Sequence, residues 1–193
     1  MVIAHPLSNS LCKQLSTEVE NTLKQMGHEV ILEDLYVEQF APALTEQERA
    51  SYYAEDYDVS YISEQVKRLK QAEAIVLLFP TWWFGFPAIL KGWFDRVWGP
   101  GIAYDHASDF GPIKARLGKL KNVLVITTLG SPWWVDRLVL WQPVKRIMKL
   151  ALLGACASNS KLQFLSLYNS EKLDEKRINA FKNRIDKALK SWS

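Results

Sequence analysis

Ala74-Ile75-Val76-Leu77-Leu78-Phe79-Pro80-Thr81-Trp82-Trp83-Phe84-Gly85-Phe86-Pro87 is the stretch that decides the fold class. Residues 74–79 are an unbroken apolar run, the pattern of a strand buried on both faces of a parallel sheet. A loop over 80–87 carries three consecutive aromatics, which are badly placed for a strand interior. A helix over 88–98 then begins just after Pro87, whose fixed φ suits a helix start.

The same alternation extends in both directions. Residues 1–4 form a short strand stopped by His5-Pro6, and a helix over 11–26 carries Leu11, Leu15, Val19, Leu23 and Met26 on one face until Gly27 ends it. A second strand is expected over 30–32, followed by an irregular acidic stretch. Thr45 and Glu48 within it form a capping-box pattern that predicts a short helix over 46–53. Helical spacing returns over 61–72 through Ile62, Val66 and Leu69. Downstream, 99–121 reads as loop, 123–128 as a strand and 137–153 as a helix broken or kinked near Pro143. Residues 162–167 make the fifth strand, and an amphipathic helix over 174–192 closes the chain. Five strands alternating with helices predict an α/β domain whose parallel sheet is covered on both faces. Without repeats or a low-complexity linker, residues 1–193 read as a single domain.

Composition narrows the function classes. The 193 residues carry 24 Lys and Arg against 21 Asp and Glu, and a net +3 is too weak to argue for nucleic acid. Acids gather over 29–64 while 114–121 and 145–149 are basic. Such patches steer a phosphorylated cofactor, touch a membrane surface, or simply solvate a mixed surface. Eight Trp, eight Phe and seven Tyr need a core, a flat ligand or a partner to cover them. Cys12 and Cys156 lack metal-ligand spacing, so no metal is expected and a reducing, cytoplasmic setting fits. No run approaches the ~18 apolar residues of a membrane-inserting helix.

In open parallel sheets, ligands bind beyond the carboxyl ends of the strands at the topological switch point. Three loops are therefore candidates. His5-Pro6-Leu7-Ser8-Asn9-Ser10 leads into a helix N-terminus, where free N–H groups favour an anion; equally, Ser8 or Ser10 caps the helix. Residues 80–87 could wall a planar ring, with Gly85 allowing close approach, or could plug the core. Thr127-Thr128-Leu129-Gly130-Ser131 offers hydroxyls and backbone to the polar rim of a heterocycle. Elsewhere the readings are structural: His28 at the surface, Trp93, Phe94, Val97 and Trp98 in core or dimer packing, and Asp95-Arg96 as a surface or interface pair.

These features together resemble the NAD(P)H:quinone oxidoreductase family, the flavodoxin-like fold that includes DT-diaphorase. The resemblance rests on Ala4-His5-Pro6 with Ser10, on Asp34-Leu35-Tyr36, and above all on Phe79-Pro80-Thr81-Trp82-Trp83-Phe84-Gly85-Phe86-Pro87-Ala88-Ile89-Leu90-Lys91-Gly92-Trp93-Phe94-Asp95-Arg96-Val97. Ile102-Ala103-Tyr104 and Thr127-Thr128 follow at suitable distances. It implies a three-layer sandwich around a five-stranded parallel sheet. Contacts to the flavin's phosphate arm correspond to His5, Ser10, Leu11 and Cys12. The loop beside the isoalloxazine corresponds to Pro80, Thr81, Trp82, Trp83 and Phe84, and the pyrimidine side to Thr127, Thr128, Leu129 and Gly130. Tyr104 and Gly130 take the expected catalytic roles, Tyr104 from across a homodimer interface.

The implied activity is ping-pong hydride transfer from NAD(P)H through FAD, or alternatively FMN, to a quinone or similar small acceptor. The pocket would be shaped by Tyr104, Phe110, Trp133 and Trp134. The alternative is a flavin-binding cytoplasmic subunit that regulates a membrane potassium efflux transporter with little turnover. Four departures bear on this choice. Cys12 stands where the family often has Asn, Leu129 replaces the first glycine of Thr-Thr-Gly-Gly, and His106 replaces a second pocket tyrosine. The family's Tyr and His after that glycine pair are missing between Gly130 and Tyr168, so charge on the reduced flavin falls to backbone N–H groups or Arg137.

Overall fold

The computed structural model describes residues 1–54, 56–107, 111 and 113–192. Its elements in chain order are β1 (Val2–Ile3), α1 (Leu11–Gln25), β2 (Glu33–Asp34), α2 (Glu46–Ser51), α3 (Ser63–Gln71), β3 (Ala74–Pro80) and α4 (Ala88–Val97). There follow β4 (Tyr104–Asp105), β5 (Lys114–Ala115), β6 (Asn122–Thr128), a π-helical turn Val135–Val139, α5 (Pro143–Arg146), a second π segment Ile147–Leu153, α6 (Gly154–Cys156), β7 (Lys161–Leu167) and α7 (Glu175–Lys190). The main sheet has order β2-β1-β3-β6-β7, and every pairing in it is parallel. Because β1 sits inside while its successors lie on opposite sides, the order reverses between β1 and β3.

Period-two alternation sorts the strand side chains into two cores. Ile75, Leu77 and Phe79 of β3 join Val123 and Val125 of β6 beneath Val66 and Leu69 of α3, Leu90, Trp93 and Val97 of α4, and Val144, Met148 and Leu153. Val76 and Leu78 join Leu124 and Ile126 on the other face, beneath Leu15, Val19 and Leu23 of α1 and Phe181, Ile185 and Leu189 of α7. The result is a flavodoxin-like three-layer sandwich around a five-stranded sheet, as expected from the sequence. The aromatics of α4 are core, and His28 is exposed.

Two expectations change. The second strand is Glu33–Asp34 rather than 30–32, because Val2 pairs with Glu33 and Ile3 with Asp34. Ile31 and Leu32 stay exposed at the amino edge, ahead of the point where β1 offers a partner. The helical stretch over 137–153 breaks at Pro143, as expected from its proline: Trp141 and Gln142 adopt left-handed φ, and a fresh helix starts with Pro143 in its first turn. Arg96 is no surface group. It is 3% exposed and grips Glu48, itself 1% exposed, through Nε and Nη2 at 2.6–3.0 Å. Glu48 is also the capping-box residue of α2, taking the Thr45 N–H at 2.8 Å. Asp95, the sequence neighbour of Arg96, pairs instead with Lys91 at the surface.

α4 packs tightly against the preceding segment. A Cβ on Gly92 would fall 2.1 Å from the Pro42 carbonyl oxygen, so only glycine fits there. Arg96 also donates to the Ala41 carbonyl, and the Tyr57 hydroxyl donates to the Arg96 carbonyl at 3.1 Å. Ala41, Pro42, Glu48 and Tyr57 are thereby fastened to the helix that follows the aromatic loop.

Candidate functional site

The three loops converge at the carboxyl edge because the strands that carry them are neighbours. β3 and β6 run in register from Ala74↔Asn122 to Pro80↔Thr128. The ladder continues one step beyond, where Thr81 N–H donates to the Thr128 carbonyl at 2.8 Å. Thr81 Oγ1 and Thr127 Oγ1 share a hydrogen bond of 2.7 Å. The Thr128 side chain lies close enough to the Cys12 thiol, in the first turn of α1, to favour its ionised form. Burial outweighs that influence and pushes the thiol up to about 11, so the group is a neutral packing thiol. Any polar contact Cys12 makes to an anion therefore comes from its backbone.

Ser10 caps α1, its Oγ accepting from Lys13 N–H at 3.4 Å. The N–H groups of Leu11 and Cys12 have no partner among the described residues, and they crown a 15-residue helix. Lys13 pairs with Asp34 at the carboxyl end of β2, placing a cation beside the loop. His5 Nδ1 accepts from Leu7 N–H at 3.1 Å, which puts the ring proton on Nε2. Burial lowers its pKa below the ordinary histidine value. The imidazole lies 6.5 Å, centroid to centroid, from Trp82, joining the first loop to the second.

The second loop stands outward. Gly85 N–H donates to the Trp82 carbonyl at 2.9 Å, closing a turn whose central residues, Trp83 and Phe84, have φ of 50° and 56°. That is the type I′ shape, which favours Asn-Gly and strains a Trp-Phe pair. Trp83 is 99% exposed, so this backbone is not held by burial of the indole. The N–H groups of Trp83 and Phe84 are unpaired among the described residues. They are presented at the sheet edge.

The third loop is partly committed. Leu129 is buried, donates its N–H to Leu167 and accepts from Ser170, so its own backbone is occupied. Gly130 and Ser131 keep unpaired N–H groups among the described residues, and the Ser131 hydroxyl is buried with no partner. A buried orphan hydroxyl costs free energy unless a ligand or water completes it. A Cβ on Gly130 would lie 3.1 Å from Glu171 Oε1, so this carboxyl borders the loop.

One feature escaped the sequence. Tyr168, just past β7, donates its hydroxyl to Asp136 Oδ2 at 2.7 Å and accepts from Arg137 Nε at 3.3 Å. The guanidinium also lies 5.7 Å over the Tyr168 ring. The parallel β6–β7 register brings these residues together, a contact across 31 positions that no local spacing signals.

Tyr104 stands apart from the three loops. Its hydroxyl donates to Tyr52 at 2.9 Å, and its ring meets His106 edge-on at 5.4 Å. Burial raises its pKa well above the ordinary phenol value. Trp133 and Trp134 are half-exposed, and Phe110 lies outside the described residues. A cavity of about 590 Å³ opens at the opposite, amino edge, lined by Met1, Ile31, Glu33, Arg68, Ala74 and Trp93 among others. It is the space beside Ala74, Ile75 and Val76, which have no β1 residue opposite because Val2 pairs with Leu77. It lies across the sheet from every loop of the candidate site.

A family model described as flavodoxin-like fold matches residues 1–189. The chain is 36% identical over 149 residues to an NAD(P)H dehydrogenase [quinone] 1 of Cavia porcellus, covering 68% of this chain and 53% of that protein. It spans about half the length of the curated relatives it matches. The crystal structure of Smu.1420 from Streptococcus mutans superposes with a TM-score of 0.84 at 25% identity, covering 98% of this chain and 97% of that one. An NAD(P)H:quinone oxidoreductase from Methanothermobacter marburgensis superposes with a TM-score of 0.79 at 23% identity, covering 100% and 96%. The resemblance seen in the sequence thus holds along the fold and in the names of its relatives.

Proposed function

The chain belongs to the flavodoxin-like fold family, and from that premise we propose that it holds a flavin across the carboxyl edge and passes hydride from NAD(P)H to a quinone or similar small electrophile. The observation that carries this reading is the buried, partnerless Ser131 hydroxyl beside the free N–H groups of Gly130 and Ser131. Such a set suits the alternating donors and acceptors of a pyrimidine edge. Bound there, a flavin supplies hydride acceptance from NAD(P)H and delivery to the acceptor, the two co-substrates using one slot in turn.

The protein's part is placement and electrostatics. Ser10, the Leu11 and Cys12 N–H groups and neutral His5 receive the phosphate arm, with Lys13 nearby to offset its charge. Pro80, Thr81 and the 82–84 turn flank the ring and offer the Trp83 and Phe84 N–H groups to its edge. Thr127 and Thr128 brace that turn from below, and Leu129 anchors the third loop through β7. Gly130 and Ser131 N–H groups would offset the negative charge that a flavin held there gains on reduction. Arg137, held by Tyr168, adds a positive pole to the same loop.

Among the described residues the Tyr104 hydroxyl and ring engage Tyr52 and His106 rather than these loops, which suits a homodimer in which Tyr104 closes the partner's acceptor pocket. Both cysteines are free and buried, consistent with work in a reducing cytoplasm. We assign FAD as the cofactor, with FMN as the alternative. Purified protein is expected to be yellow, and its flavin to bleach anaerobically with NADH or NADPH and recover on adding a quinone. Initial rates should give the parallel reciprocal plots of a ping-pong scheme. Heat release with chromatography and mass measurement identifies the flavin. A colourless protein that takes up neither FAD nor FMN refutes the reading.

A further inference from the structure

We propose that Tyr168 is a positioning residue: anchored on Asp136, it fixes the Arg137 guanidinium beside the third loop and so favours the reduced, more negative form of a flavin bound there. The proposal deepens the flavin reading and rests on it. Its starting point is a buried acid. Asp136 is 6% exposed, and the Tyr168 hydroxyl at 2.7 Å is the one side-chain donor its carboxylate meets among the described residues. Burying a carboxylate on so little compensation is costly, so the bond has a purpose beyond packing. The same hydroxyl accepts from Arg137 Nε at 3.3 Å. Guanidinium, phenol and carboxylate thus form a chain whose donors all point one way, and each bond polarises the next.

The backbone leaves regular helix to bring this about. Asp136 and Arg137 lie in the π-helical turn Val135–Val139, a form that is rare and recurs at functional sites. The Gln142 N–H reaches back to the Asp136 carbonyl at 2.7 Å, closing the turn, while Trp141 and Gln142 hold φ of 56° and 51°. Two adjacent residues in strained, left-handed backbone persist only where their surroundings over-determine them.

Tyr168 also stands where the third loop is hung. The Leu167 carbonyl accepts from Leu129 N–H at 2.9 Å, Asn169 N–H donates to the Ser131 carbonyl at 3.1 Å, and Ser170 N–H donates to the Leu129 carbonyl at 2.9 Å. The loop that carries the free Gly130 and Ser131 N–H groups is therefore clamped from both sides of Tyr168. Arg177 of α7 fixes that segment in turn, donating to the Tyr168 and Lys172 carbonyls. One tyrosine joins the two systems, with its side chain on Asp136 and Arg137 and its flanking backbone under 129–131. Without the hydroxyl, Arg137 keeps only its stacking 5.7 Å over the ring. Its charge is then free to move into water, where it is screened. Held in place, it offsets charge gained on reduction with no reorientation to make.

The test is the midpoint potential of the flavin-loaded protein, by anaerobic dye titration, with affinity for oxidised flavin read by fluorescence quenching. Y168F and R137Q should each weaken the hold on reduced relative to oxidised flavin about tenfold, a fall of about 30 mV for a two-electron couple. Because Tyr168 acts through Arg137, R137Q/Y168F should fall no further than R137Q alone. A merely structural tyrosine would move the melting temperature and leave the potential where it was. R137Q keeps the buried Asp136–Tyr168 bond, so it carries the test even if Y168F folds poorly. An R137Q potential equal to that of the wild type overturns the proposal, as does a double variant whose fall is the sum of the two. A wild type that takes up neither FAD nor FMN overturns the flavin reading as well; flavin bound at a potential the variants do not move overturns this proposal alone.

Discussion

Replacing Arg96 by Met isolates the most deeply placed ion pair among the described residues. Glu48 is 1% exposed and receives Arg96 Nε and Nη2 at 2.6–3.0 Å; once the guanidinium is gone, its carboxylate keeps only the Thr45 N–H. The Ala41 carbonyl loses its donor as well. Removing one partner of such a pair costs about 3–5 kcal/mol, because an uncompensated charge stays buried. A domain of this size has roughly 5–15 kcal/mol in total. Urea unfolding followed by far-ultraviolet circular dichroism should show the midpoint fall by about 1.5–2.5 M, for an m-value near 2 kcal/mol/M. The melting temperature should drop roughly 8–15 °C. Adding Glu48→Gln to Arg96→Met should restore part of the loss, since the pair costs desolvation that neutral groups avoid. A single variant losing less than about 1 kcal/mol, or a double variant no better than the single, would refute the reasoning.

Two further outcomes follow from the site loops. Trp83→Asn with Phe84→Gly supplies the residues a type I′ turn favours, so thermal unfolding should rise by about 1–2 kcal/mol of stability; flavin retained through gel filtration should fall, because the wall is lost, and a destabilised variant contradicts the strain. His5 has a folded pKa below its unfolded value, so the unfolded chain binds more protons between the two. Stability must therefore rise with pH across that window, and His5→Gln should flatten the slope. An imidazole NMR titration midpoint at or above 6.5 would contradict this.

The sheet was legible because β3, β6 and the strand ends beneath the loops are apolar on both faces, a pattern needing no knowledge of partners. β2 was not. Val30-Ile31-Leu32 has the apolar look of a strand, whereas the pairing residues are Glu33 and Asp34. A buried Glu33 is tolerable because Trp93 Nε1 donates to it at 2.6 Å across sixty positions, which no local reading supplies. The same distance hid Arg96, whose sequence neighbour is an acid but whose partner lies 48 residues earlier. The residues of the three loops could be named as candidates because, in parallel sheets, topology points to that edge. Their states could not be read: Leu129 is tied to β7, the Cys12 thiol is held neutral by burial, and Tyr168 arrives beside Arg137 only through the β6–β7 register. The π turns depend on tertiary packing and leave no periodicity of their own.

β1 meets β2 and β3 through only two residues each, whereas β3, β6 and β7 are joined over seven. Amide protons should therefore survive longest in the β3–β6–β7 half and exchange first at β1, β2 and the loop over 5–10. The proposed phosphate end of the ligand thus rests on the half that breathes, while its ring rests on the half that does not. Loading the cofactor would then act as a clasp, slowing exchange most in the strand that the rest of the sheet holds least.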